Sequence, residues 1–348
     1  MLASFIEQLR AAQPLRDEQV REAVVTLIDK NAAAEMKAEF LTALAQKGET
    51  TDEIAAFARE LRGRAIEAPL DAATRAVEVL DVCGTGGDRL NTFNISTTVA
   101  IVAAAAGITV AKHGNRAITS QAGSADVLEA LGIRIDLSPP EAARCLRERG
   151  FAFFFAPRYH PAFQHIGPAR RLCAERGQRT IFNFLGPLLN PARPTAQLVG
   201  VPRPQLCEPI ARVLQALGVR RGIVVSGRVG EDGAFLDEFS TLGGNTVAEF
   251  YQDRGFATST LELENFPLQP ASLGDLTGGD RDTNARIVRD ILSGRERGPK
   301  RDAVLLNTAA ALFVAGRTRS LTEGWDEAAR LIDSGASAAK LEELASAL

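Results

Sequence analysis

Three short segments combine the residue types that bind phosphate. They are the glycine turn at residues 84–88 (GTGGD), the polar segment at 94–97 (NIST) and the cationic segment at 112–116 (KHGNR). Backbone N–H groups, hydroxyls and cationic side chains hold anions well beside strand ends and helix starts, where the helix dipole adds to the attraction. Three such segments so close together predict a polyphosphate ligand.

Each segment also has a simpler interpretation. Glycines permit positive φ, so the first can be a tight turn without a ligand. Ser96 and Thr97 can cap a helix, and residues 112–116 can form a solvated charged loop that follows a strand. His113 need not act as a base, since an imidazole in such a loop can orient it or contact a substrate. It is the combination of the three segments that favours phosphate.

A diphosphate needs more positive charge than backbone amides supply. A pair of unit charges about 4 Å apart is worth about 4 kcal/mol at intermediate dielectric, whereas an exposed helix terminus contributes about 0.3–1 kcal/mol. We therefore expect Mg²⁺, which prefers carboxylate and hydroxyl oxygens together with water. The candidate ligands are Asp237 and Glu238, which follow a glycine-rich stretch at 227–233. An exposed acidic pair without a metal is the alternative.

Short apolar runs separated by helical patterns must position these segments, and this alternation indicates α/β organisation. The runs that predict buried strands lie at residues 77–82, 108–111, 151–155, 198–201 and 222–225. Helices are expected from Ser138 to about Arg149, at 280–292, at 302–315 and in the tail that follows.

Residues 1–64 differ from the rest of the chain, because their apolar residues recur at intervals of three and four, which is the helical period. Thr50 and Glu53 have the spacing of a capping box. The segment is therefore expected to be a helical subdomain. It either forms a dimer interface or packs against the remainder of the chain.

The composition limits the classes of function. With 348 residues, two structural units are expected. A formal net charge of -3 argues against a large basic surface for nucleic acid or anionic membranes. The apolar run at 99–106 is too short to span a membrane, and Glu7 interrupts the segment where a signal peptide would be apolar, so a cytoplasmic location is expected. The cysteines are widely separated, which predicts buried reduced thiols at Cys83, Cys145, Cys173 and Cys207.

The order of the motifs resembles that of the anthranilate phosphoribosyltransferases. The matching segments cover most of the chain and lie at 81–88, 94–97, 112–132, 155–161, 180–191 and 236–238. The resemblance implies an α/β protein with the nucleoside phosphorylase-like transferase fold, which has a small helical domain and a larger α/β domain. The helical domain would be residues 1–70, completed by a central insertion near 160–180, and residues 71–348 would form the α/β domain that binds the sugar donor.

The implied reaction transfers the phosphoribosyl group of 5-phosphoribosyl 1-pyrophosphate (PRPP) to the amine of anthranilate in tryptophan biosynthesis. The products are N-(5'-phosphoribosyl)anthranilate and pyrophosphate. The aryl amine is already nucleophilic, so we expect positioning and electrostatics rather than a catalytic base, with Lys112 and His113 in supporting roles. The resemblance also implies Mg²⁺, with two ions per subunit, and a homodimer formed through the helical domain. Neither a nucleic-acid nor a membrane partner is expected.

Carried over to this sequence, the resemblance assigns a set of site residues. PRPP would contact Gly84, Gly87, Asp88, Thr92, Asn94, Ile95, Ser96, Thr97, Lys112, His113, Gly114, Asn115, Arg116, Ala117, Ile118, Thr119, Ser120 and Ser124. Magnesium would be bound by Ser96, Asp237 and Glu238. Anthranilate would contact Gly84, Asn115 and Arg170, with His113, Tyr159 and His160 nearby.

Arg170 suits the carboxylate of anthranilate, because a guanidinium can hold a carboxylate through two parallel hydrogen bonds. The segment 170–180 is a few residues longer than the family pattern, so Arg171 is an alternative ligand, and a surface role for Arg170 is a further one.

Two other functions remain open from the sequence. A pyrimidine nucleoside phosphorylase shares the implied fold and would use phosphate as the nucleophile. A protein that keeps the fold but only binds its ligand, which could be a nucleic acid, is the alternative from a different class.

Overall fold

The computed structural model describes residues 2–117, 121–230, 233–252 and 255–346. Its strands lie at Val79–Gly84 (β1), Thr109–Gly114 (β2), Phe151–Phe155 (β3), Ala196–Gly200 (β4), Arg221–Val229 (β5), Ala234–Leu236 (β6), Asn245–Tyr251 (β7) and Gly255–Leu261 (β8). Its helices lie at Leu2–Arg10 (α1), Asp17–Ile28 (α2), Ala34–Lys47 (α3), Thr51–Arg62 (α4), Ala72–Ala76 (α5), Ile95–Ala105 (α6), Ser124–Ala130 (α7), Pro139–Arg149 (α8), Ala156–Tyr159 (α9), Gly167–Glu175 (α10), Cys207–Ala216 (α11), Arg281–Leu292 (α12), Pro299–Val314 (α13), Leu321–Asp333 (α14) and Ala336–Ala345 (α15).

The strands form one mixed sheet in the order β3-β2-β1-β4-β5-β7-β8, with β6 paired to β5. From β3 to β5 all neighbours are parallel, whereas β6 and β7 pair antiparallel with β5, and β8 pairs antiparallel with β7. The carboxyl ends of the parallel strands therefore meet at one edge, which is where α/β sheets bind ligands. The segments that follow β1 and β2 and the turn after β6 come together there.

The α/β fold is confirmed, and each of the five predicted strands is present within a few residues. Strands β6, β7 and β8 were not predicted. Strand β8 is exposed along most of its length, so it lacks the apolar run that signals a buried strand. One local expectation is wrong: Lys112, His113 and Gly114 belong to β2 instead of a loop after it. Because these residues are polar, they lack the apolar pattern that predicts a buried strand.

The N-terminal region is helical, as predicted. Helix α4 begins with the expected capping box, in which Thr50 Oγ1 accepts from the Glu53 N–H and Glu53 accepts from the Thr50 N–H. Helices α1 to α4 share a hydrophobic core with residues 166–189 and with α11. This sharing supports a helical domain completed by a later insertion, although the domain boundaries themselves stay a prediction.

The sheet is covered on one side by α6, α12, α13, α14 and α15, whose apolar residues form the largest core cluster. Helix α6 is buried along nearly its whole length and is built of small residues, so it packs closely against β1 and β2. The four cysteines are free and buried, which confirms that prediction. In the described part of the chain, no helix combines the length and apolar character needed to cross a membrane.

Candidate active site

The glycine turn after β1 is in contact with the acidic pair that follows β6. The Gly86 N–H donates to Asp237 Oδ2 over 2.6 Å. A Cβ atom on Gly84 would lie 2.1 Å from the same oxygen, so only glycine fits this position. Gly86 and Gly87 have φ of 77° and 89°, which other residues rarely adopt. The turn therefore has a shape that depends on its glycines.

Three carboxylates meet beside this turn. Burial and repulsion from Asp88 and Glu238 raise the pKa of Asp237 well above its ordinary value. Burial raises the pKa of Glu238 to about 7, against the opposing effect of Lys112 and of hydrogen bonds from Ser96. Such mutual repulsion is what a bound cation relieves.

The three residues predicted to bind magnesium are thus brought together. Ser96 contacts Glu238 through its backbone and its side chain, and Asp237 is the adjacent residue. Among the described residues no group of three or more His, Cys, Asp and Glu side chains is arranged to hold a metal ion. This donor set fits Mg²⁺, which normally binds few protein carboxylates and completes its shell with water and phosphate oxygens.

The side chain of Lys112 lies beside these predicted metal ligands. It is only 1% exposed, and its Nζ donates to the Val82 carbonyl over 2.6 Å and to Ser96 Oγ over 3.3 Å. Burial lowers its pKa, while Asp81 and Glu238 act to raise it. Lys112 is therefore a fixed buried cation beside the predicted metal ligands.

The segment 94–97 forms the start of α6, as predicted, with Asn94 at the N-cap position. Asn94 Nδ2 donates to the Ala122 carbonyl, and Asn94 Oδ1 accepts from Asn284 of α12. Its amide thus links two other elements to the start of α6. Thr97 is buried and, within the described residues, its hydroxyl has no partner.

The turn after β2 is held by an acidic residue of α7. Asp126 accepts hydrogen bonds from the backbone of Ala117 and of Gly123, and it also pairs with Arg116 over 2.9 Å. Ser124 Oγ donates to the Asn115 carbonyl. Arg116 is further paired with Glu129, so its guanidinium faces α7 in this structure. The predicted ligands Ile118, Thr119 and Ser120 lie outside the described residues.

His113 and His160 form an edge-on ring pair with centroids 5.4 Å apart. Burial lowers their pKa values to about 3 and about 4, so both rings are neutral. His113 Nδ1 lies 3.2 Å from the Gly186 carbonyl, which can only accept, so this nitrogen carries the proton. Within the described residues both Nε2 atoms are buried without a partner. On His113 this nitrogen is a free acceptor.

Aromatic contacts connect this pair to Arg170 of α10. The contacts run from His160 to Phe163, from Phe163 to Phe182 and from Phe182 to Arg170, whose guanidinium carbon lies 5.4 Å from the Phe182 ring centre. Arg170 is half-buried, which lowers its pKa. In the described part of the chain its guanidinium has no hydrogen-bond or ion-pair partner. Arg171, the next residue, is exposed.

Comparisons with known proteins agree with this geometry. Residues 3–65 match the family described as "Glycosyl transferase family, helical bundle domain" and residues 76–338 match "Glycosyl transferase family, a/b domain". An anthranilate phosphoribosyltransferase of Thermomicrobium roseum is 47% identical over 99% of this chain and 96% of its own length. One from Moorella thermoacetica is 48% identical over 99% of this chain and 97% of its own. The chain belongs to the anthranilate phosphoribosyltransferase family.

Solved structures of family members have the same fold. The enzyme of Thermus thermophilus aligns with a TM-score of 0.87 at 40% identity, covering 98% of both chains. The enzyme of Saccharomyces cerevisiae in complex with PRPP and Mg aligns with a TM-score of 0.86 at 28% identity, over 99% of this chain and 96% of its own. The chain is accordingly a phosphoribosyltransferase that makes N-(5'-phosphoribosyl)anthranilate and pyrophosphate in tryptophan biosynthesis.

Tyr159 and Thr92 are two further residues that the resemblance places at or near the site. Tyr159 is fully buried among apolar residues, next to Phe154, and its hydroxyl has no partner within the described residues. Thr92 is half-buried and pairs with Thr277 through an isolated bridge.

The sequence reasoning missed a buried support for β2. Asp81 accepts from Asn190 Nδ2 over 2.8 Å and from the His113 N–H over 3.3 Å, and Asn190 Nδ2 also donates to the Ala111 carbonyl. Burial raises the pKa of Asp81 to about 6. An acidic residue, Asp81, between the apolar residues Leu80 and Val82 is the signal that could have revealed it.

Proposed function

We propose that PRPP binds across the glycine turn at 84–88, the start of α6 and the turn after β2, with Mg²⁺ held by Ser96, Asp237 and Glu238. The convergence of these three residues beside Gly84 is the observation that carries the proposal. The yeast family member was solved with PRPP and Mg, which supports the same ligands here. The bound metal would supply positive charge to the diphosphate leaving group.

Anthranilate would bind between Arg170 and the histidine pair. The half-buried guanidinium lacks a partner among the described residues, and a carboxylate would satisfy it through two parallel hydrogen bonds. The free acceptor at His113 Nε2 suits an N–H of the substrate amine. A yeast family member was solved with 4-fluoroanthranilate, a substituted form of the proposed acceptor.

In this arrangement the chain acts by orientation and fixed charge. The neutral amine attacks the anomeric carbon as the bond to diphosphate breaks, and once the new C–N bond has formed the nitrogen loses a proton to water. Orienting two substrates can contribute roughly 7–11 kcal/mol. The backbone N–H groups of the glycine turn and the buried Lys112 would stabilise the charge that develops on the leaving group. His113 is unsuited to general-acid work, since its pKa is lowered to about 3.

We propose further, from the family resemblance, two Mg²⁺ ions per subunit, a homodimer formed through the helical domain and a cytoplasmic location. The division into residues 1–70 with an insertion near 160–180, and residues 71–348, is proposed on the same basis. The shared core of α1 to α4 with residues 166–189 supports it.

The direct test follows the fluorescence of anthranilate in the presence of PRPP, with and without Mg²⁺. We expect consumption of anthranilate that needs both PRPP and the metal and that releases pyrophosphate. A parallel assay of nucleoside phosphorolysis distinguishes this activity from that of a pyrimidine nucleoside phosphorylase. The proposal would be contradicted if anthranilate were not consumed at saturating PRPP and Mg²⁺.

A further inference from the structure

We propose that Asn307 and Asn245 are positioning residues that hold the metal-binding segment, residues 237–240, in the shape the reaction needs. The inference rests on the proposed role of Asp237 and Glu238 as ligands of Mg²⁺. The asparagine side chains carry no charge. Each acts on the backbone of the segment that carries the two carboxylates.

The hydrogen bonds of Asn307 enclose the residue that follows Glu238. Asn307 lies on α13 and is 1% exposed. Its Oδ1 accepts from the Phe239 N–H over 2.9 Å, and its Nδ2 donates to the Phe239 carbonyl over 2.8 Å and to the Ala303 carbonyl over 2.9 Å. One side chain therefore satisfies both backbone groups of Phe239 and ties them to α13.

Asn245 does the same for the next residue. It lies at the start of β7 and is fully buried. Its Oδ1 accepts from the Ser240 N–H over 2.7 Å, and its Nδ2 donates to the carbonyls of Ser240 and Gly243 over 3.0 and 3.2 Å. Two consecutive peptide units are thus held by two asparagines from different elements.

The chemistry explains why asparagine occupies both positions. Strand β6 ends at Leu236, so the buried backbone after it has left the sheet and needs other partners. A carboxamide offers an acceptor and donors on one planar group, which lets it pair with the N–H and the C=O of a single residue. An apolar side chain of the same size would leave both backbone groups without partners.

The segment also lies very close to three strands. A Cβ atom would lie 2.1 Å from Asp237 Oδ2 at Gly84, 1.6 Å from the Asp237 carbonyl oxygen at Gly200, and 2.5 Å from the Glu238 carbonyl oxygen at Gly227. The backbone thus approaches β1, β4 and β5 closely from one side. The asparagines hold the same segment from α13 and β7, at Phe239 and Ser240.

This restraint matters because the carboxylates repel one another. Asp88 and Glu238 repel the carboxylate of Asp237, and Asp88 also repels that of Glu238, so without a cation the segment would relax by moving its charges apart. Holding the backbone keeps the carboxylates close enough to share a cation. Residues that orient metal ligands typically change metal affinity or activity by about 10–100-fold when they are replaced.

The test replaces Asn307 by leucine, which has a similar size but no polar group, and compares Thr308→Val as the matched control. Thr308 is the next residue of α13, is buried, and has a hydroxyl without a partner in the described part of the chain. Two quantities are measured: the Mg²⁺ concentration that gives half-maximal activity, and the calorimetric affinity for Mg²⁺ in the presence of inorganic pyrophosphate.

For Asn307→Leu we expect the half-maximal Mg²⁺ concentration to rise by about 10-fold or more, with a matching loss of calorimetric affinity. The KM for anthranilate should stay within about 2-fold, because Arg170 belongs to another element. Thr308→Val should behave as the wild type. Unchanged Mg²⁺ dependence in Asn307→Leu, or an equal change in both variants, would overturn the inference.

Two further variants keep the test decisive if Asn307→Leu does not fold. Asn307→Asp retains the acceptor for the Phe239 N–H, and Asn245→Asp retains the one for the Ser240 N–H. Both should show the same weakening of the Mg²⁺ response, and normal responses in both would refute the proposal. The double variant Asp237→Asn with Glu238→Gln distinguishes a failure of this inference from a failure of the proposed metal site. If this double variant also keeps the wild-type Mg²⁺ response, it is the assigned metal site that fails.

Discussion

Arg170 and Arg171 offer a sharp test of how this chain recognises its acceptor. Replacing Arg170 by glutamine removes a guanidinium that is half-buried and free of hydrogen-bond or ion-pair partners within the described residues. A hydrogen bond to a charged group contributes about 1.5–3 kcal/mol. Since about 1.4 kcal/mol corresponds to a factor of ten, the KM for anthranilate should rise by about 10- to 150-fold.

The assay follows anthranilate fluorescence at saturating PRPP and Mg²⁺, and the KM for PRPP is measured beside it. The PRPP value should change little, because Arg170 lies on α10, away from the three phosphate-type segments in the sequence. Arg171→Gln is the matched control, since Arg171 is exposed and adjacent. Equal losses for the two substrates, or a larger effect at Arg171, would refute the reasoning.

Three further predictions concern the metal segment. Asp237→Asn with Glu238→Gln should lower turnover and abolish the Mg²⁺ dependence; a response that persists in activity titrations would remove these residues from the metal site. Burial raises the pKa of Glu238 to about 7, so between about pH 4.5 and 7 the folded state binds more protons than the unfolded state. The free energy of unfolding without metal should therefore fall as the pH rises through this range. Thermal unfolding should therefore show a larger stabilisation by Mg²⁺ at pH 8 than at pH 5.5, and an equal one would contradict the assignment. Gly200→Ala should displace the Asp237 carbonyl, which a Cβ atom would approach to 1.6 Å, and so raise the Mg²⁺ requirement, whereas Gly274→Ala, with only a 3.5 Å contact, should not.

The sequence predicted the parts of the site that depend on residue type and local order. The glycine turn, the start of α6 and the acidic pair at 237–238 were identifiable because their residues carry the chemistry themselves. The five parallel strands were identifiable because each contains a short run that is mostly apolar. Strand β8 was missed because its exposed residues leave no such pattern.

What the sequence did not predict depends on contacts between distant parts of the chain. The proton on His113 Nδ1 is fixed by a carbonyl 73 residues away, at Gly186. Asn307 pairs with a residue 68 positions away. Asparagine alone does not indicate which backbone groups it will satisfy. These partners are set by how the strands and helices pack, so residue types and spacing could not reveal them.

The two cations of the segment 112–116 show why a metal is needed. Lys112 is buried and already donates to the Val82 carbonyl and to Ser96, so it is a fixed charge beneath Glu238. Arg116 is paired with Asp126 and Glu129, and its side chain is 45% exposed. The charge of Arg116 is therefore already shared with two carboxylates of α7. Lys112 offsets only part of the charge of the three carboxylates beside the glycine turn. A diphosphate placed there would bring further negative charge next to these carboxylates, and a bound cation would offset the repulsion between them.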